Sequence, residues 1–528
     1  MKNHETDATW AYHNGTKHSY ESIRRNPHYL DWENQPLAFK IYPQLAPISL
    51  QEHLSSSGMP ALAAISALGA EPDQQSVPTS QTLAEILFLS AGITRRRSYP
   101  GGEMLFRAAA CTGALFHIDL YIVCGDLEGL EAGIYQFSPQ DFSLRRLRAG
   151  DYRSVLVAAG GAEAAIANAP CLIVSASTFW RNAWKYQSRA YRHCYWDNGT
   201  VLANLLAAAA ARKIPAKLAL GFVDASVNQL LGLDHRREAA LSLMALGHSS
   251  AGRISLSPLP APLMLETAPL SKTEVDYPEM REMHEASTLE SEEEVKAWRE
   301  GKAEGEIKAE GGRIKDEGTP QNRLFPLEPL SDDELPRDTI EEVIVRRGST
   351  RQFSRESISF VELSIMIDRA TRGIDNDFRS PEEPPLNELY LIVHAVDGLP
   401  PGAYVFRREQ RALELLKEGD FRREAGYLGL GQEIPADCSV NIYFLVDLTR
   451  ALARFGNRGY RVAQLEAAIM GGKLYLAAYA QRLGASGLTF FDDDVTEFFS
   501  PDAAAKSVMF LIALGKSVKR AKSNAVTA

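Results

Sequence analysis

Lys185-Tyr-Gln-Ser-Arg-Ala-Tyr-Arg192 returns 269 residues later as Arg454-Phe-Gly-Asn-Arg-Gly-Tyr-Arg461. The shared element is R-x-Y-R: Arg189, Tyr191 and Arg192 against Arg458, Tyr460 and Arg461. The same displacement relates Leu120-Tyr121 to Leu389-Tyr390, Gly133-Ile-Tyr135 to Gly402-Ala-Tyr404, and Gly150-Asp151 to Gly419-Asp420. It also relates Phe222 and Asp224 to Phe491 and Asp493, and near the end it slips by one, from Ala245-Leu-Gly247 to Ala513-Leu-Gly515. A constant offset over so long a span marks an internal duplication.

Each copy reads alike. An apolar helix (82–91; 361–371) precedes a β-rich run (119–124; 388–396), and a Gly-containing turn leads into a second strand at GIYQF or GAYVF. Another apolar strand follows (171–176; 440–446), then a long Ala/Leu-rich helix (196–212; 465–482) and a closing strand (240–247; 508–515). The period changes from 3.6 to 2 and back, which predicts an α+β unit. The long helices are apolar most of the way round, so they are expected at the centre, as a seam between two copies.

Composition sets the frame. The chain of 528 residues is long enough for two to four domains at roughly 100–200 residues each. Its 45% hydrophobic and 23% charged content is that of an ordinary globular protein. A net charge of -10 argues against nucleic acid or an anionic membrane as the main partner, without excluding a local basic pocket. No stretch predicts a membrane span, and the polar residues 1–10 lack the apolar core of a secretory signal. Five cysteines without CxxC spacing read as reduced thiols, so the expected location is the cytoplasm.

Five segments are expected: an N-terminal arm (1–45), a first domain (46–265), a charged linker (266–338), a second domain (339–520) and a disordered tail (521–528). The arm is rich in Tyr, His, Trp and Pro and is expected to lie ordered on the body. Residues 291–315 are Glu-, Lys- and Gly-rich, as in a solvated helix or tether, with a lid over the active site as the alternative.

The sharpest chemical motif is Arg346-Arg-Gly-Ser-Thr-Arg-Gln-Phe353. Arg346, Arg347 and Arg351, the Ser349 hydroxyl and backbone N–H groups could cradle a phosphate; a solvated basic turn is the plainer reading. With a helix behind it, this stretch resembles the phosphate-binding entry of the FMN-dependent nitroreductase family. Arg107-Ala-Ala-Ala-Cys-Thr-Gly-Ala-Leu-Phe-His-Ile-Asp-Leu-Tyr121 resembles the family's flavin-contacting segment. In the azoline-oxidising (SagB/ThcOx-type) branch that segment reads R-A-x-P-S-x-G-A-L-Y-P-x-E-L-Y. The arm's Tyr12-His-x-x-Thr-Lys-His18 and Leu30-Asp-Trp32 resemble that branch too. Ala110-Cys111 in place of Pro-Ser, and His117 in place of Pro, depart from it.

The resemblance implies two tandem nitroreductase-like domains, each a mostly antiparallel sheet flanked by helices, forming an intramolecular pseudo-dimer. It implies FMN at the seam, with one copy holding the phosphate and the other touching the ring. Copy one has no arginine over 58–69, and copy two is shortened over 379–389, so one FMN per chain is expected. Its expected contacts are Arg346, Arg347, Ser349 and Arg351, the ring segment Ala110, Cys111, Thr112, Gly113, Ala114 and Leu115, and a wall at Ser486, Gly487 and Leu488. The wall's glycines would permit close approach. Lys516 and Lys519 are further phosphate candidates.

Lys185 and Tyr186 match the branch's Lys-Tyr pair and are the expected catalytic residues; the plainer reading is that KYxxRxYR stabilises the core. Cys111 reads as a small filler, His117 and His193 as structural, and Asp492-Asp-Asp494 as a solvated helix-capping turn rather than a metal site. The implied activity is dehydrogenation of thiazoline or oxazoline rings, on a small or peptide-derived substrate, by hydride transfer to flavin N5. An NAD(P)H-dependent nitroreductase-like enzyme and a non-catalytic, partner-binding scaffold are the alternatives. Biosynthetic partner proteins and a higher oligomer are compatible with each.

Overall fold

The computed structural model describes residues 2–51, 54–68, 75–100, 102–250, 258–301 and 323–518. Lys519, the tail 521–528, Gly69 and linker residues 302–315 lie outside the described residues.

Alternating apolar strands in each copy assemble a seven-stranded, antiparallel sheet. In copy one the spatial order is Pro47–Ser49, Ser143–Ala149, Gly133–Ser138, Ile118–Cys124, Cys171–Thr178, Glu238–Leu246 and Ala216–Ala219. Copy two repeats it as Leu324–Pro326, Ala412–Glu418, Gly402–Arg407, Asn387–Val393, Val440–Val446, Ser507–Gly515 and Gly484–Leu488. The four middle strands run into continuous apolar stretches because helices cover their faces. The fold is α+β: two sheets of one topology, each flanked by helices.

The two long helices, Ala190–Ala211 and Arg458–Ala480, form the seam. Small residues let them touch. A Cβ added to Gly199 would sit 2.4 Å from the Ala468 Cβ, and one on Gly472 would sit 2.6 Å from the Ala203 Cβ. Gly199 corresponds to Ala468 and Ala203 to Gly472 at the 269 offset, so each crossing pairs one glycine with one alanine.

Charged clamps close both ends of the seam. Arg189 and Arg192 of copy one meet Asp492 of copy two at 2.9 and 2.6 Å. Arg458 and Arg461 of copy two meet Asp224 of copy one, each at 2.7 Å. All six side chains are buried. Burial alone would raise the Asp492 acid, but the two guanidinium groups hold it well below the usual carboxylate range. Asp224, opposed in the same way by burial, is brought down to about 2.

This geometry corrects two expectations. The residue two-fold related to Asp224 is Asp492, not Asp493, and Phe222 answers to Phe490, not Phe491, since Arg458 lies over Phe222 and Arg189 over Phe490. The turn leaving the edge strand is one residue shorter in copy two, Thr489 before Phe490 against Leu220-Gly221 before Phe222, so the slip falls there. The acidic run is not merely a solvated turn either. Asp492 is the buried clamp, Asp493 pairs with Lys17 at 2.7 Å, and Tyr427 donates to Asp494 at 2.7 Å.

The arm is built into the clamps. Its helix Asp7–Gly15 leads to Thr16, whose carbonyl accepts from Arg189 at 2.6 Å, while the His13 carbonyl accepts from Arg192 at 2.8 Å. Linker helices Pro278–Ala286 and Glu292–Arg299 lie at the other clamp, where the Ser287 carbonyl accepts from Arg458 at 2.9 Å. No described helix is long and apolar enough to cross a membrane.

Candidate active site

A cavity of about 1660 Å³ opens along the clamp that carries the arm. One wall is copy one's segment 105–116 with the start of its long helix. The facing wall is copy two's loop 347–352 with Tyr475, Tyr479 and the turn 487–489. The mouth is formed by arm residues 15–28 and the hairpin bearing Arg95, Arg96 and Arg97.

The ring segment is shaped by one stripe of the long helix, Asp197, Thr200 and Asn204, spaced three and four apart on a single face. Asp197 accepts from the Thr112 N–H at 2.9 Å, the Thr112 hydroxyl at 2.6 Å and the Cys111 thiol at 3.0 Å, and pairs with His117 Nε2 at 2.8 Å. Thr200 donates to the Ala110 carbonyl at 2.7 Å, and Asn204 to the Leu89 and Ala108 carbonyls at 3.0 Å. These bonds hold a backbone that turns left-handed at Gly113, Ala114 and Phe116, with φ of 64°, 56° and 48°. The sequence signal of this stripe is three polar residues on one face of a helix whose C-terminal half is Ala- and Leu-rich.

Cys111 lines the cavity, but burial, then the Asp197 carboxylate, pushes its thiol well up, so it remains protonated. His117 is sealed behind the segment, where its Nδ1 meets the Ser177 hydroxyl at 2.8 Å. His193 reaches the cavity, yet burial, then Arg189, holds its pKa far down, so it is neutral. At the arm, burial and Arg189 likewise lower His18 to about 3.

Lys185 and Tyr186 both line the cavity, at the end of helix Phe179–Tyr186. The lysine amine lies 5.4 Å from the Tyr186 ring centre. The phenol packs over Gly113, where an added Cβ would lie 2.8 Å from its oxygen. Burial, then Asp197 and Cys111, pushes that phenol well above its ordinary value, so it keeps its proton at neutral pH.

The basic loop runs from helix Ile340–Arg346 toward helix Phe360–Ala370. Its arginines divide the work. Arg346 turns away from the cavity, donating to Asp338 at 2.6 Å and to the Tyr479 carbonyl at 2.8 Å, so its expected place at a phosphate is corrected. Arg347 lines the cavity, but two of its nitrogens bind the Ala108 and Arg107 carbonyls at 2.9 and 2.8 Å, tying copy two to the ring segment. Arg351 and Ser349 also line the cavity; the Ser349 hydroxyl lies 3.4 Å from that of Tyr475, and the exposed Arg351 guanidinium bonds to no described residue.

Ala110, Cys111, Thr112, Gly113 and Ala114 line the cavity, as do Gly487 and Leu488. Leu115 belongs to the core instead, and Ser486 is enclosed in strand Gly484–Leu488 with its hydroxyl unpartnered, on the face opposite Gly487. Gly484 is small for Thr350, whose hydroxyl would lie against any Cβ there. Lys516 points to Glu356 at 3.8 Å.

The two-fold-related place in the other seam is filled. The stripe there reads Glu466, Ile469 and Lys473. Glu466 accepts from the Asn387 N–H at 3.0 Å, and Lys473, lowered to about 8 by burial, donates to the Gly373 carbonyl at 2.7 Å. Copy two's segment 375–377 pairs with Leu218, and Asp377 accepts the Leu220 and Gly221 N–H groups at 2.8 and 3.0 Å. These N–H groups belong to the turn that answers to the cavity's Thr489. Trp298 and Arg299 of the linker close over it: a Cβ on Gly221 would lie 3.0 Å from the Trp298 ring, and Arg299 reaches Asp377 at 3.3 Å. No described linker residue lines the open cavity.

The sequence matches the nitroreductase family twice, over residues 79–248 and 344–516. The chain belongs to the nitroreductase family. It is similar end to end to the crystal structure of a candidate nitroreductase from Anabaena variabilis, with 26% identity, 97% of this chain and 99% of that one covered, and a TM-score of 0.75. A candidate nitroreductase of Methanocaldococcus jannaschii is 25% identical over 169 residues, 32% of this chain and 80% of that protein. The E. coli microcin synthetase McbBCD complex with truncated pro-MccB17 bound aligns at 17% identity over 46% of this chain and 92% of that one, with a TM-score of 0.30, too low to carry an argument.

Proposed function

We propose that this nitroreductase-family oxidoreductase holds one FMN per chain, in the open seam, with copy two gripping the phosphate and copy one facing the ring. The observation that carries this is the asymmetry of the seams: one contains a cavity with an unspent arginine, Arg351, and the other is filled by residues 375–377 and Trp298. The donor set suits the group. Arg351 and Ser349 offer a charged fork and a hydroxyl to a phosphate, and the small segment 110–114 offers a flat face to a ring. Bound there, FMN supplies a hydride acceptor at N5.

The chain's own residues do the rest. Asp197 fixes the ring segment, and the arm narrows the mouth. Tyr186, protonated, donates a hydrogen bond. Lys185, at the same wall, is the group that takes a proton from a substrate carbon, as azoline oxidation to an azole requires. The substrate is then a small or peptide-derived azoline. A reductase of electron-poor molecules fed by NAD(P)H is the second reading, favoured by the family match itself.

Flavin content of the purified protein, with Arg351→Ala alongside, tests the proposal. Wild type should carry one FMN per chain and the variant should lose it. Unchanged flavin in the variant removes the phosphate assignment, and a colourless wild type that cannot be reconstituted leaves a scaffold. Bleaching by NADPH, against turnover of an azoline probe, separates the two enzyme readings.

A further inference from the structure

We propose that the mouth of the cavity is an anion site, in which Arg95 and Arg97 grip a carboxylate or phosphate on the molecule brought to the flavin face. The proposal rests on the FMN reading above only for what lies deeper in the cavity.

The hairpin of Ile93–Tyr99 and Gly102–Arg107 stands at the mouth. Three consecutive arginines line the cavity from it. Strand alternation puts Arg95 and Arg97 on one face and Arg96 on the other. Arg96 is committed, paired with Glu103 at 3.2 Å and donating to the Gln140 carbonyl at 3.0 Å. Beyond the backbone ladder of the hairpin, the Arg95 and Arg97 guanidinium groups form no hydrogen bond or ion pair with any described residue. Arg95 is nonetheless held in place, stacked 4.2 Å from the Phe106 ring centre. A guanidinium fixed on an aromatic face with its fork free is pre-organised for a planar anion.

The charge balance points the same way. In a chain of net charge -10, nine of the cavity-lining residues are lysine or arginine and one is a carboxylate. That carboxylate, Asp197, is consumed by Thr112, Cys111 and His117. A phosphate at Arg351 and Ser349 leaves the hairpin's Arg95 and Arg97 without a carboxylate partner among the described residues. A cleft of one sign concentrates ligands of the other, and nothing in flavin binding calls for this second cluster at the entrance. The anion has two candidate sources, a carboxylate of the molecule oxidised or a phosphate of a reduced nicotinamide dinucleotide.

The test is calorimetric titration of FMN-saturated protein with inorganic pyrophosphate at low salt, in wild type, R95A/R97A and R96A. Each lost charged hydrogen bond weakens binding about tenfold or more, so R95A/R97A should bind at least tenfold more weakly, R96A within about twofold of wild type, and flavin content should not change. Equal affinity in wild type and R95A/R97A, or no binding by wild type, overturns the proposal. Flavin reduction assigns the source. A preference for NADPH over NADH that disappears in R95A/R97A names the dinucleotide phosphate. An unchanged preference, with lost discrimination between 4-nitrobenzoate and nitrobenzene as acceptors, names the substrate carboxylate. Should the protein take no FMN, the same titration on the protein as purified, with R351A added, still reads the hairpin separately from the deeper loop.

Discussion

Replacing Asp492 with Asn keeps the shape of a clamp and removes its charge. The carboxylate meets Arg192 at 2.6 Å and Arg189 at 2.9 Å, and all three are buried. At an effective dielectric near 20, one such contact is worth about 4 kcal/mol of gross attraction, largely offset by desolvation. Removing the partner is a different quantity, because buried cations then stay uncompensated; that costs about 3–5 kcal/mol. Here two guanidinium groups lose the same partner, keeping as hydrogen bonds the Thr16 and His13 contacts. A loss near 4 kcal/mol lowers Tm by about 10 °C in domains of this size. Calorimetric melting at pH 7 reads it. Asp224→Asn should lose a similar amount, but at the clamp remote from the cavity, so only D492N should also loosen the arm and weaken flavin retention. A loss below about 1 kcal/mol in both variants would mean that the clamps contribute no net stability. The pH dependence has a definite sign. Asp224 is lowered in the folded chain to about 2, so its contribution is whole above the unfolded value near 4 and disappears as pH falls from there toward 2. D224N should flatten that part of the acid-denaturation profile.

Three further outcomes follow from particular contacts. Gly472→Ala places a Cβ 2.6 Å from Ala203 and should cost about 1–3 kcal/mol; G472A/A203G exchanges the pair and should recover most of it, which chemical denaturation will show. Asp377→Ala strands the Leu220 and Gly221 N–H groups and should cost about 1–3 kcal/mol, while flavin stays at one per chain; a wild type that takes up two equivalents contradicts the filled seam. Tyr186→Phe should keep its flavin and lose turnover, and the wild-type pH–rate profile should show no phenol inflection below about pH 10, because the buried phenol is pushed upward.

The duplication was legible because its strongest element, R-x-Y-R, is under a double constraint: each arginine must reach an aspartate of the other copy and also pack into a closed seam. The partners were harder. Three consecutive aspartates offer three registers, and a one-residue deletion at Thr489 hides which one is buried. Spacing equally could not divide Arg346, Arg347 and Arg351, since a side chain's direction depends on what the preceding helix packs against. Asp197, Thr200 and Asn204 are not singled out by the sequence because Asn198 between them blurs the face they share, and their partners lie 85 to 115 residues upstream. The hairpin arginines belong to no motif spacing, and the folded mouth gives them a common target.

The filled seam gives the fusion a polarity that a symmetric assembly cannot have. Two unlinked copies of the first half would meet ring segment to ring segment, with no Arg351 between them. Two of the second would bring together basic loops and nothing to face them. Each half therefore depends on the other as lock on key, and covalent linkage fixes their ratio at one to one in every molecule made. A substitution in the open seam is then felt once, because its two-fold-related place is occupied by residues 375–377. Trp298 and Asp377 hold that second place as packing and hydrogen bonds instead.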